Sequence, residues 1–436
     1  MFKGVIFILV FFLWHPEYAD PFLLASYDVH PAENGFFAYQ VNHLTGELHY
    51  FFADDNLDIN REGYLHLDNN ISHVLSETYG NKGVIAVNWG KTENYKKELI
   101  ILDPLGGMET YHLDGLIFPE IEKMVVLENS FGFLGKMTSG RNFVQLIHID
   151  ANEAKPYIID NGQIVVDIAG NEGHIDVLTA NVRSSGFANV ALSTYDEWGN
   201  ELHAFKPKLL FMMTSGRLVK NSQARYHIIG SYRKYLNEEF GGIYSLEIGQ
   251  NNQQYFRAFP PADLVRGSNV KRKKIREGLK AGFDIIEVIE QDLNITVVSI
   301  AGLKNYDEGP AADLKPILFH IVRINDNIQE FFIHSIDQES LKQLYIDPQM
   351  FSKNAQVWLL DSSLSQKNKS PHIKNLHTQS FFSGFHISGN GINKALNYKI
   401  LRLSGDEILV FGLKSDQVEK GMENFYLGKS NYSKPL

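Results

Sequence analysis

Cysteine is absent from all 436 residues. That excludes disulfides, thiolate nucleophiles, zinc ribbons, iron–sulfur clusters and a lipid-modified N-terminal Cys. A basic excess is also missing. Lys and Arg number 41 against 51 Asp and Glu, giving a formal charge of −10. Nucleic-acid binders concentrate positive charge on phosphate, so no nucleic-acid partner is expected. After Trp14 no segment reaches the 18 apolar residues of a membrane helix, so no later membrane span is expected. Helical periodicity is nearly missing after residue 20. There is no Gly-x-Ser-x-Gly elbow, His-Glu-x-x-His pair, Walker loop or helix-opening Gly-x-Gly-x-x-Gly. No cofactor and no metal are expected. Hydrophobic residues make up 44% and charged residues 21%, which is core-forming rather than disordered composition.

Met1-Phe2-Lys3-Gly4 carries one positive charge, and Val5 to Trp14 (VIFILVFFLW) is an unbroken apolar run. That run is about half of the roughly 20 residues a spanning helix needs. It predicts a secretory signal peptide over 1–19. Pro16 breaks the helix and Ala19 offers a small residue before Asp20, although Glu17 sits where a second small residue is usual. The expected location is secreted or periplasmic, with residues 20–436 as a single domain. Without disulfides, its stability must come from packing.

Beyond residue 20, short runs of Val, Ile, Phe, Tyr and Thr alternate with polar residues and stop at Gly, Asn or Asp. A strand ends near an Asx residue, a tight turn follows, and another strand begins. Asx and Gly suit such turns because they tolerate positive φ. The turns fall near residues 43, 103, 150, 196, 249 and 325, at intervals of 60, 47, 46, 53 and 76. A period of about 40 to 50 residues made of short strands predicts an all-β fold, a β-propeller at four strands per blade. Seven blades are expected, with six or eight as alternatives. A strand around Phe22 to Val29 is expected to complete the last blade, whose strands include Glu407 to Leu413. The competing architecture is a pair of β-sandwiches with a linker near 260–280.

Three smaller features stand out. Val265 to Gly282 is a basic, helix-compatible insertion, read as a solvated loop between blades. Asp54-Asp55-Asn56-Leu57-Asp58-Ile59-Asn60 spaces oxygen ligands as a calcium loop does, but Ile59 and Leu65 stand where Gly and Glu are required. Met137-Thr138-Ser139-Gly140-Arg141 recurs as Met213-Thr214-Ser215-Gly216-Arg217. The two copies sit differently relative to their turns, so the echo is read as turn chemistry rather than as a paired site.

The connections between second and third strands look longer and carry aromatic and charged residues. They hold Trp89, Lys91 and Tyr95, then Arg183 and Phe187, then Tyr232, Arg233 and Tyr235, then Tyr306. Loops on a rigid scaffold carry function, and Tyr, Trp and Arg suit protein or glycan recognition. The expected function is an exported, non-catalytic, monomeric binding or scaffold module whose partner is a protein or cell-envelope glycan. Joint Ala substitution of Trp89, Arg183, Tyr232 and Tyr235 is expected to abolish capture without lowering the melting temperature. The rival is a propeller hydrolase or lyase with an acidic, His and Tyr site, for which His174, Asp176, Tyr226 and His227 are the candidates.

Overall fold

β-Branched and aromatic residues in short runs favour pleated strands, and a sheet with two apolar faces must be covered on both. The computed structural model describes residues 28–260 apart from short connections, including 43–45, 68–70, 90–95, 184–185, 221–225, 234–240 and 249–252. From 283 onward it describes the backbone of the strands alone. The expected leader at 1–19 and the basic insertion at 265–282 lie outside the described residues.

The chain folds as successive antiparallel meanders. The first runs β1 (Asp28–Ala32), β2 (Gly35–Asn42), β3 (Glu47–Ala53) and β4 (Ile59–His66). The second is β5 (Ile71–Tyr79), β6 (Lys82–Trp89), β7 (Lys96–Leu102) and β8 (Met108–His112). The third is β9 (Glu120–Val126), β10 (Ser130–Lys136), β11 (Asn142–Asp150) and β12 (Glu153–Ile159). The fourth is β13 (Ile164–Asn171), β14 (His174–Arg183), β15 (Gly186–Asp196) and β16 (Glu201–Phe205). A two-residue strand, β17 (Met212–Met213), joins it to the fifth: β18 (Arg217–Lys220), β19 (Tyr226–Arg233), β20 (Gly242–Ile248) and β21 (Gln254–Phe259). The sixth is β22 (Phe283–Gln291), β23 (Asn294–Ala301), β24 (Ile317–Ile324) and β25 (Gln329–Ile336). The seventh is β26 (Met350–Lys353), β27 (Gln356–Asp361), β28 (His372–Asn375) and β29 (Phe381–Ser383). The eighth has three strands among the described residues: β30 (Asn397–Arg402), β31 (Glu407–Leu413) and β32 (Phe425–Asn431).

The repeating unit is the four-stranded meander of a β-propeller blade, and the fold is all-β of that class. Among the described residues each meander pairs its strands in chain order, and β17 links the fourth and fifth into one sheet. Of the strand expected around Phe22 to Val29, residues 22–27 lie outside the described residues, and Asp28 and Val29 pair with Tyr39 and Ala38 in the first meander rather than with the last. Among the described residues no helix is long and apolar enough to cross a membrane.

The chain divides into two compact units, 1–112 with 415–424 and 113–414 with 425–436. In the first unit, Phe37, Tyr39, Tyr50 and Phe52 of the first meander pack against Ile71, Ile85, Val87 and Ile100 of the second. In the second unit, β14 is buried on both faces. Ile175 and Val177 face the third meander's Val125, Leu134 and Leu146, whereas Leu178 and Ala180 join Ile228, Tyr232 and Tyr244 of the fifth. Two-sided burial explains why β14 carries apolar residues on both faces rather than on one alone. Close stacking also fixes small residues. A Cβ on Gly132 would stand 2.5 Å from Ile175 Cδ1, inside contact distance.

The fourth strands face solvent: β8 and β16 are exposed along most of their length. The turn leading to them is one recurring structure. In Asp54–Asp58, Asp103–Gly107 and Asp196–Asn200 the leading Asp carboxylate accepts the amide two residues on, at 2.8, 2.8 and 2.9 Å. The fourth position has positive φ in each: Leu57 at 72°, Gly106 at 114° and Gly199 at 79°. The acidic run at 54–60 is therefore the first meander's turn. Its Asp54 Oδ1 holds the amides of Asn56 and Asp58.

Candidate functional site

Antiparallel meanders send their second-to-third connections, and the links to the next meander, out at one end. The expected binding residues map to that end with differences. Trp89 is the last residue of β6, and Lys91, Tyr95, Tyr235 and Tyr306 lie outside the described residues. Arg183 ends β14 and pairs in register with Gly186. The stretch 181–187 is therefore mostly strand, joined through residues 184 and 185, rather than a long loop. Phe187 packs against the core shared by the fourth and fifth meanders. Tyr232 sits inside β19 and is 7% exposed. It is a core side chain, not a loop residue, and its ring lies 4.9 Å from Phe211. Arg233 closes β19.

The structure brings two of these residues, Phe187 and Tyr232, onto one row through β17. Half of one edge of β15 pairs with β16, and the other half meets β17 at Phe187↔Met213. Likewise β18 pairs with the first half of β19, and β17 takes the second half through Met212↔Arg233 and Met213↔Tyr232. Val182, Phe187, Met213 and Tyr232 therefore align across four strands. On the other side of β17 the backbone leaves Thr214, Ser215 and Ser231 together. Thr214 Oγ1 and Ser215 Oγ each lie 2.7 Å from Ser231 Oγ, and the Ser231 amide donates to Ser215 Oγ at 3.0 Å. Tyr244 donates its hydroxyl to the Ser215 carbonyl at 3.1 Å. Full burial pushes the Tyr244 pKa far up, so it remains a neutral donor.

The first strands of neighbouring meanders carry a second group of polar side chains. Lys123 of β9 reaches Asp167 of β13 at 2.8 Å and the Ile168 carbonyl at 2.6 Å. Asp167 also accepts the amides of Ile168 at 2.9 Å and of Leu218, on β18, at 2.7 Å. Three meanders meet on this one carboxylate, which is occupied in holding them. In the first unit His30 Nε2 lies 2.6 Å from Ser76 Oγ. Ser76 donates to the Tyr39 hydroxyl at 3.0 Å, and Tyr39 donates to Asp28 at 2.9 Å. With those donors set, Ser76 Oγ accepts from the His30 Nε2–H. Burial first, and then the Asp28 charge, push the Tyr39 pKa far up, so it stays a hydroxyl.

The residues considered for catalysis occupy two strands of different meanders. His174 and Asp176 are on β14, and Tyr226 and His227 are on β19. Asp176 is fully buried and accepts Thr194 Oγ1 at 2.6 Å. Among the described residues no group of three or more His, Asp or Glu side chains is placed to hold a metal ion. Sequence reasoning missed Met212, Ser231 and the joining role of β17. The repeated Met-Thr-Ser-Gly-Arg was the available signal, since its second copy runs from β17 into β18.

No protein-family model and no curated protein matches the chain. Among solved structures it is similar to the β-propeller domain of the Trilobed protease from Pyrococcus furiosus, at 8% identity and a TM-score of 0.39, covering 84% of this chain and 97% of that one. It is also similar to polysaccharide lyase Uly1, at 10% identity and TM-score 0.44, covering 82% and 89%. A third is a subtype N11 neuraminidase-like protein of A/flat-faced bat/Peru/033/2010, at 8% identity and TM-score 0.39, covering 93% and 96%. At these levels of likeness they say nothing of this chain's activity.

Proposed function

We propose that the chain is an exported, monomeric recognition module that binds a protein or cell-envelope glycan at the end where second-to-third connections emerge. The row built by β17 carries this reading. It brings the ends of β14, β15 and β19 into one continuous sheet, so that Arg183 and Arg233 close strands of that sheet with β15 and β17 between them. Meanwhile Asp167 and Lys123 are committed to joining meanders. Strand ends on a rigid sheet suit recognition, and Tyr, Trp and Arg give area and hydrogen bonding at low entropic cost. The test is capture by the full chain carrying Trp89→Ala, Lys91→Ala, Tyr95→Ala and Tyr235→Ala together. Capture is expected to fall at an unchanged melting temperature. Undiminished capture rejects this end of the molecule as the contact surface.

A further inference from the structure

We propose that the end of β19 holds a binding site for a single carboxylate group, formed by Arg233 with the hydroxyls of Thr214, Ser215 and Ser231; it rests on the recognition reading and gives that reading a ligand chemistry. The first observation is Arg233 itself. Its Nε is buried and has no hydrogen-bond partner among the described residues. A buried charged N–H without an acceptor is costly, and a guanidinium presents its donors in a planar fork that matches a carboxylate. The second is strand parity. Ser231 and Arg233 are two apart on β19 and share a face, opposite Tyr232, which enters the core. The Thr214–Ser231 contact of 2.7 Å puts Thr214 on that same face.

The third observation is a proton count. The hydroxyls of Thr214, Ser231 and Ser215 are linked by two bonds, and Ser215 Oγ also accepts the Ser231 amide. Three hydroxyl protons serve two bonds, so one hydroxyl donor is left over for a ligand. Thr214 and Ser215 are half-buried, which leaves the group accessible. Charge agrees. The described residues of β17, β18 and β19 and the intervening 214–216 include Arg217, Lys220 and Arg233 but no Asp or Glu. One guanidinium edge and one spare hydroxyl suit a single carboxylate. The chain's charge of −10 opposes polyanions.

The experiment is calorimetric titration of the full chain with sodium glucuronate, N-acetylaspartate and inorganic sulfate, in wild type, Arg233→Gln, Arg233→Lys and Thr214→Val. Saturable binding of glucuronate or N-acetylaspartate is expected. Glucuronate alone points to a sugar source, N-acetylaspartate alone to a peptide source, and both together to the shared group. Arg233→Gln is expected to weaken binding about tenfold or more, because charge-assisted bonds are lost. Arg233→Lys is expected to restore part of it, and Thr214→Val to weaken it a few-fold. Because its Nε lacks a partner, Arg233→Gln is also expected to leave the melting temperature unchanged or raised. No carboxylate binding, sulfate binding as tightly as the carboxylates, or equal affinity in Arg233→Gln each overturns the site. A lowered melting temperature in Arg233→Gln shows a structural partner and overturns it as well. Failure of all carboxylates while the loop variants still lose partner capture removes this inference and leaves the recognition reading standing.

Discussion

Lys123 and Asp167 meet at 2.8 Å between the first strands of two successive meanders, with Asp167 only 3% exposed and Lys123 at 37%. Asp167 also satisfies two amides, one of them from the next meander. Removing it strands those donors as well as the ammonium. Asp167→Ala is expected to destabilise by about 3 kcal/mol or more, and Lys123→Ala by less, because its partner keeps two amides. Urea unfolding midpoints of the two single variants and the double variant check this. Equal and additive small losses would show the pair to be marginal.

Leu57 occupies the left-handed position that glycine fills in the two equivalent turns, at φ 72°. A side chain there costs about 1 kcal/mol. Leu57→Gly is expected to stabilise by about 0.5–1 kcal/mol. Nothing stands within 4 Å of a Cβ built on Gly106. Gly106→Ala is therefore expected to lose about 1 kcal/mol through backbone conformation alone. Paired thermal melts of the two variants give the comparison, and the signs must be opposite.

Tyr232 belongs to the core between the fourth and fifth meanders. Tyr232→Ala is expected to cost about 3 kcal/mol or more and to lower the melting temperature. The four-residue alanine variant expected to spare stability is thus corrected, because a core ring is among its targets. Thermal melts of the single variant decide the point.

Asp196 gives a pH dependence. Burial alone raises its pKa, but the Asn200 side chain and the amides of Asn200, Trp198 and Gly199 together hold it below the usual carboxylate value. Unfolded, the group titrates near pH 4. Between that value and the lower folded one, the unfolded chain binds more protons, so stability falls as pH falls. The stabilisation is fully present above about pH 4 and is lost in more acidic solution. Melting temperatures of wild type and Asp196→Asn, recorded from pH 6 to 2.5, should converge toward the acid end. A constant difference would exclude the linkage.

Much of the fold was legible because its grammar is local. The turns placed near 103, 150, 196, 249 and 325 all fall between third and fourth strands. The one placed near 43 lies instead between β2 and β3. The equivalent turn begins at Asp54, 49 residues before Asp103, in the acidic run that reads as a solvated loop between strands, and Leu57 stands where the two equivalent turns have glycine. The site was less legible. In β19 both Ile228 and Ile229 are buried, so alternation could not reveal which way Tyr232 faces. A two-residue strand such as β17 has no period to detect. The Lys123–Asp167 link joins residues 44 apart, and it arises from the register between meanders, which sequence spacing does not carry.

The two-residue bridge at Met212–Met213 has a practical consequence for cutting the chain. It occupies free edge on both β15 and β19, so severing the protein between the fourth and fifth repeats would bare two open β-edges at once. Truncations and permuted termini belong at other junctions, and amide exchange at Phe187 and Arg233 should slow or quicken in concert.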